Sequence, residues 1–288
     1  MRIANLQGRG VILTSDALGA DVYTASGGVF GPDLPSIFGR WEEFVEWAVT
    51  DPVLTRTDGG VAIDRVLLDA PSPAPRQIFG IGLNYSAHAA ESGYAEPAEP
   101  PVFTKFVTSI GAPDAPITLP DNGNTDWEVE LVVVIGREAY KVDAAAAWSY
   151  VAGLCIGQDI SERRSQLAGP VPQFSLGKSF PGFAPFGPWL VTVDEFVNPD
   201  DLELGCSVDG EEVQRSRTGD LVVSVPKLIA YLSRTLPLLP GDVIFTGTPA
   251  GVGLGCNPPR YLKAGQTLTT WIEGIGEIKQ VFVSESAL

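Results

Sequence analysis

Histidine, cysteine and positive charge are all scarce in this chain. Its 288 residues include one His and three Cys, and 19 Lys and Arg stand against 35 Asp and Glu, for a net charge of −16. The excess of acid argues against nucleic acid and anionic membranes as partners, because both require basic surface. An anionic ligand would need local positive charge, from a metal ion or from a few Arg and Lys. The cysteines, Cys155, Cys206 and Cys256, are odd in number and far apart. That spacing excludes a zinc or redox motif and leaves reduced thiols as the expectation. No run of 18 apolar residues occurs, and Met1–Gly10 lacks the apolar core of a secretory signal. A soluble, cytoplasmic protein with no membrane partner is expected.

Glycine and proline, by contrast, are plentiful, at 32 and 24 residues. They imply many turns and favour a strand-rich fold over a helix bundle. The 44% hydrophobic content is enough for a large core. Residues 1–72 read as a small N-terminal accessory module, with short strands near Val11–Thr14 and Ala20–Tyr23 and a helix over Ser36–Val49. Pro71, Pro73 and Pro75 form a stiff connector into a larger domain, 73–288.

Within that domain, Asp126-Trp127-Glu128-Val129-Glu130 runs directly into Leu131-Val132-Val133-Val134-Ile135-Gly136. The apolar, β-branched half predicts a buried strand stopped by glycine. Alternation places Asp126, Glu128 and Glu130 on one strand face. Carboxylates entering a buried strand repel one another and need a counter-charge. A divalent cation held by hard oxygen ligands would supply it, as would a solvated edge or pairing with Arg and Lys. A second apolar strand, Val151–Gln158, ends at Asp159, a natural third ligand or else a helix N-cap.

Three further stretches carry candidate chemistry. Gly80-Ile81-Gly82 starts like a dinucleotide fingerprint, but Tyr85 stands where the third glycine belongs, so that reading fails. After it, Ser86–Glu91 predicts a short helix ending near Gly93, with His88 and Glu91 three apart on one face. A histidine oriented by a carboxylate is the usual general base, although such a pair can be incidental. Lys178, in Phe174–Phe180, sits in an apolar, aromatic segment, either reaching solvent or held near an anion. Val243–Gly253 reads as a strand entering a glycine-rich loop whose N–H groups and threonines could cradle a carboxylate.

In this order, these segments resemble the fumarylacetoacetate hydrolase family over about residues 75–283. The carriers are Asp126–Leu131, Gln158–Ser161, Gly177–Phe180, Pro240–Pro249 and His88-Ala89-Ala90-Glu91. The resemblance implies an α+β, mainly β fold, a mixed β-sheet roll with few helices, usually dimeric. It implies Mg2+ or Mn2+, with Ca2+ as a further candidate, on Glu128, Glu130 and Asp159. It makes His88, Glu91 and Lys178 the catalytic residues, and gives Gln166 and Thr248 to the substrate carboxylate, with Arg163 or Arg164 as a helper. The implied activity is hydrolysis of a C–C bond in a 2,4-diketo acid of the acylpyruvate, fumarylpyruvate or fumarylacetoacetate kind. Cleavage would pass through a chelated enolate with a His88-activated water. The alternative on the same scaffold is an oxaloacetate-type decarboxylase or an isomerase of an unsaturated 2-oxo dicarboxylic acid. The partner is then a small anionic 2-oxo acid. Two positions depart from the family: Gln158 replaces the usual Asn, and Arg164 the usual Asp. The His88 helix lies between glycine and a Pro- and Glu-rich stretch at 97–101, as a lid would.

Overall fold

A computed structural model describes residues 1–51, 60–95 and 99–285. The 97–101 stretch therefore lies partly outside the described residues. At the centre is the strand Val129–Ile135, every residue of which is buried. It pairs antiparallel with Val151–Gln158 on one side and with Val243–Phe245 on the other. Beyond these, Ala184–Val191 continues one flank, while Ile78–Ile81 runs parallel to Val243–Phe245 on the other.

A sheet with buried strands in its middle needs apolar cover on both faces, and strand alternation supplies it. Leu131, Val133 and Ile135 join a core completed by a five-stranded sheet containing Glu203–Val208, Thr267–Ile272 and Gly276–Ser284. Val132 and Val134 point the other way, into a core with Phe30, Ile37 and Phe44 of the N-terminal segment. Burying one such side chain contributes about 1.5–3 kcal/mol. The protein is thus sheet-dominated with few helices.

The N-terminal residues share the large sheet, because Arg2–Leu6 pairs with Ala184–Val191 at Arg2↔Val191. The single helix expected over Ser36–Val49 is two helices, Leu34–Phe38 and Trp41–Thr50. The chain breaks at Arg40, whose φ of −136° is not helical. The break lets Ile37 and Phe38 pack from one helix and Trp41 and Phe44 from the other. The strand expected over Ala20–Tyr23 ends at Asp21, whose carboxylate accepts the Thr24 N–H and starts a short helix instead.

Candidate metal centre and cavity

The carboxylates depart from a simple alternating strand. Thr125–Asp126 pairs separately with Ser161–Glu162, and the central strand begins only at Val129. Asp126 is therefore not in the cluster. Its carboxylate accepts N–H bonds from Trp127, Gly253 and Leu254 and is ion-paired with Arg163 at 2.7 Å.

Glu128, Glu130 and Asp159 do come together. Each offers an oxygen within 4.8 Å of the others, and all three are buried. Backbone pairing aligns them: Asp159 N–H donates to the Glu128 carbonyl at 2.9 Å, and the Gln158 side-chain carbonyl accepts Glu128 N–H at 2.8 Å. Glu130 accepts the Gly247 N–H at 2.7 Å. Gly247 has φ +104°, and a Cβ there would lie 2.7 Å from Asn84 Cβ, so the turn after the Val243–Phe245 strand requires glycine.

Three cations surround these acids. Lys178 Nζ donates to Glu128 at 2.7 Å and to Asp159 at 2.5 Å. Lys105 Nζ donates to the other Asp159 oxygen at 2.5 Å, and Arg163 reaches Glu128 at 2.7 Å. Burial alone would raise the Glu128 pKa, but Lys178 and Arg163 outweigh it and hold it down at about 2. Burial raises Glu130 well above the usual range, and the charges of Asp159 and Glu128 push the same way. Burial pulls Lys105 down, with Asp159 opposing. For Lys178 the same burial is overcome by Asp159 and Glu128, and its pKa rises. Glu130 is the acid whose charge is least compensated. Three hard, buried oxygens with excess negative charge are the donor set that Mg2+ or Mn2+ takes, so these residues fit a divalent cation.

A cavity of about 140 Å³ opens beside Glu128 and is lined by His88, Arg163, Gln166, Lys178 and Thr248 among others. His88 Nδ1 lies 3.4 Å from Glu91 Oε2. Glu91 also accepts the Gly251 N–H, at 3.1 and 3.2 Å to its two oxygens. The short helix Ser86–Glu91 is thereby tied to the 251–255 loop. Gln166 Oε1 accepts from Arg163 at 2.8 Å, which leaves its amide N–H groups to donate. Thr248 Oγ accepts from Gln214 at 2.8 Å, so its own proton is free as well. Arg164 is exposed, and its guanidinium is not part of the cavity lining.

Two participants escape a reading of the sequence. Lys105 carries the same signal as Lys178, a lysine at the end of an apolar run, Val102–Lys105, but no carboxylate nearby in sequence points to it. Gln214 lies 34 residues before Thr248 and orients it only because the two sheets meet there.

Comparison with known proteins follows the same lines. The family described as fumarylacetoacetate (FAA) hydrolase C-terminal matches residues 77–283. A Mycobacterium smegmatis crystal structure described as "a putative HpcE protein" is 52% identical and superimposes with a TM-score of 0.93, covering 99% of this chain and 100% of that one. A 5-carboxymethyl-2-hydroxymuconate delta-isomerase from the same organism is 36% identical, with TM-score 0.68, over 79% of this chain and 84% of that one. Maleylpyruvate hydrolase from Sphingobium sp. SYK-6, in complex with manganese(II) and pyruvate, is 27% identical with TM-score 0.80, over 99% of both chains.

Proposed function

Because this chain belongs to the fumarylacetoacetate hydrolase family of enzymes, we propose that it is a metal-dependent hydrolase cleaving the C–C bond of a 2,4-diketo acid. The observation that carries this reading is the pairing of His88 with Glu91 in a cavity that opens onto the carboxylate cluster. Glu128, Glu130 and Asp159 would hold Mg2+ or Mn2+. When bound, the cation supplies Lewis-acid polarisation of the substrate's 2-oxo and carboxylate oxygens. The manganese and pyruvate in the Sphingobium enzyme support that choice of ligand chemistry.

The remaining roles belong to the chain's own side chains. Gln166 and Thr248 aim free donors into the cavity and receive the substrate carboxylate, with Arg163 fixing Gln166. Lys178 keeps a charged head, already bonded to Glu128 and Asp159, beside the 2-oxo group. His88 takes a proton from water, and Glu91 orients the imidazole. The hydroxyl bonds to C4, the C3–C4 bond breaks, and its electron pair passes into the enolate of the departing 2-oxo acid. That carbon then takes up a proton, leaving a carboxylic acid and a 2-oxo acid.

His88→Ala should lower diketo-acid cleavage by about 10²–10⁴-fold while leaving Mn2+ and oxalate binding intact by calorimetry. Cleavage at the wild-type rate would refute water activation by His88. The similarity to a named isomerase supports a second reading, isomerisation, which like decarboxylation needs no attacking water. Turnover of oxaloacetate or an unsaturated 2-oxo dicarboxylic acid by His88→Ala would favour a reaction of this kind.

A further inference from the structure

The cavity wall divides sharply by chemistry. Its charged side chains, Glu128, Arg163 and Lys178, are all members of one ion-paired cluster. Arg163 is shared between Asp126 and Glu128, and Lys178 between Glu128 and Asp159. Ile81, Leu83, Phe103, Leu167, Phe174 and Leu254 form the apolar part of the wall. The uncharged polar side chains of the lining are Ser92, Tyr94, Gln166 and Thr248, and His88 stands with them. Among the described residues, no cation lining the cavity is free of a carboxylate partner.

From this geometry, and resting on the 2-oxo-acid reading above, we propose that the substrate carries a single carboxylate. The apolar wall receives an uncharged acyl group, and a 2-oxo acid ending in a second carboxylate is disfavoured.

Charge points the same way. Asp126, Glu128, Glu130 and Asp159 contribute four negative charges, and Lys105, Arg163 and Lys178 contribute three positive ones. A divalent cation turns the resulting −1 into +1, and one substrate carboxylate brings it to zero. A second carboxylate would leave a net negative charge in a buried site. Neutral hydroxyls do not offset the dehydration of a second carboxylate as a cation would.

The test uses two six-carbon acids of equal length, 2-oxohexanoate and 2-oxoadipate, which differ only in the terminal carboxylate. Each is titrated into Mn2+-loaded protein by calorimetry, with oxalate as competitor. We expect 2-oxohexanoate to bind about tenfold or more tightly than 2-oxoadipate. In Leu167→Arg, which places a cation on the apolar wall, that gap should close through tighter binding of 2-oxoadipate. Equal or tighter binding of 2-oxoadipate by the wild type overturns the single-carboxylate proposal while leaving the 2-oxo-acid reading in place. Failure of both acids and of oxalate to bind overturns the 2-oxo-acid reading itself.

Discussion

At the residue scale, the cluster concentrates opposing charges without water to separate them. Against burial and the charges of Glu128 and Asp159, Glu130 has the Gly247 N–H and the nearby charge of Lys178, and its pKa still rises. A cation bound to the native state alone would stabilise it by linkage, by about 2.7 kcal/mol when present at 100 times its Kd. Chelation should therefore lower Tm and abolish activity, and Mg2+ or Mn2+ should restore both. Glu130→Ala should bind Mn2+ far more weakly in calorimetry. Undiminished Mn2+ binding by that variant would remove Glu130 from the ligand set. Asp126 shows how a buried carboxylate acts without joining the cluster. It ties Gly253, Leu254 and Arg163 together. Asp126→Ala would leave the Arg163 guanidinium half-paired in the core, and breaking a buried pair this way costs about 3–5 kcal/mol. Denaturant unfolding should show that loss; a stability within 1 kcal/mol (about a fivefold change in the equilibrium constant) would rule out the anchoring role.

At the scale of elements, two short helices depend on carboxylates at their ends. Glu162 caps the Arg163–Gln166 helix, accepting Arg164 and Ser165 N–H groups and the Ser165 hydroxyl. Burial would raise its pKa, but these donors and the Asn124 N–H outweigh burial and lower it. A carboxyl lowered in the native state contributes stability that is fully present above the unfolded-state value, near ~4.3. That contribution is lost as pH falls through the lower native value. Glu162→Gln should therefore be destabilised by roughly 0.5–2 kcal/mol at pH near 7, with the difference from wild type shrinking in acid. A difference that grows on acidification would contradict the assignment. The Ser86–Glu91 helix is latched through Glu91 to Gly251, and Gly255 packs beneath the same carboxylate. A Cβ on Gly255 would stand 2.3 Å from Glu91 Cδ, so Gly255→Ala must displace the Glu91 side chain. Diketo-acid kcat should fall with Mn2+ binding and Tm nearly unchanged, the signature of a lid that no longer orients His88. Wild-type kcat would show that the latch does not matter for turnover.

At the scale of the whole molecule, apolar side chains stand exposed on segments that include or adjoin cavity-lining residues: Phe106, Val107, Leu167, Val171 and Leu176. Solvent contact with such side chains is unfavourable, and covering them would stabilise an assembly. We propose that the protein is a homodimer. Light scattering at micromolar concentration should give twice the 30.5 kDa chain mass, and a monomer mass that persists on concentration would count against it. Among the described residues, no helix is long and apolar enough to cross a membrane.

The sequence by itself determined the central strand and its neighbours, because β-branched runs bounded by glycine and turn residues form strands through local preference and burial. It also marked Glu128, Glu130 and Asp159, since acids at the ends of buried strands are costly enough to need a reason. Only the tertiary structure separated Asp126 from those three, through a break in the strand that alternation cannot foresee. It alone brought Lys105 to Asp159, 54 positions later, and Gln214 to Thr248. Periodicity records which way a side chain points from its own strand. Which charge it meets across the sheet depends on strand order and register, and those are set by packing among segments distant in the chain.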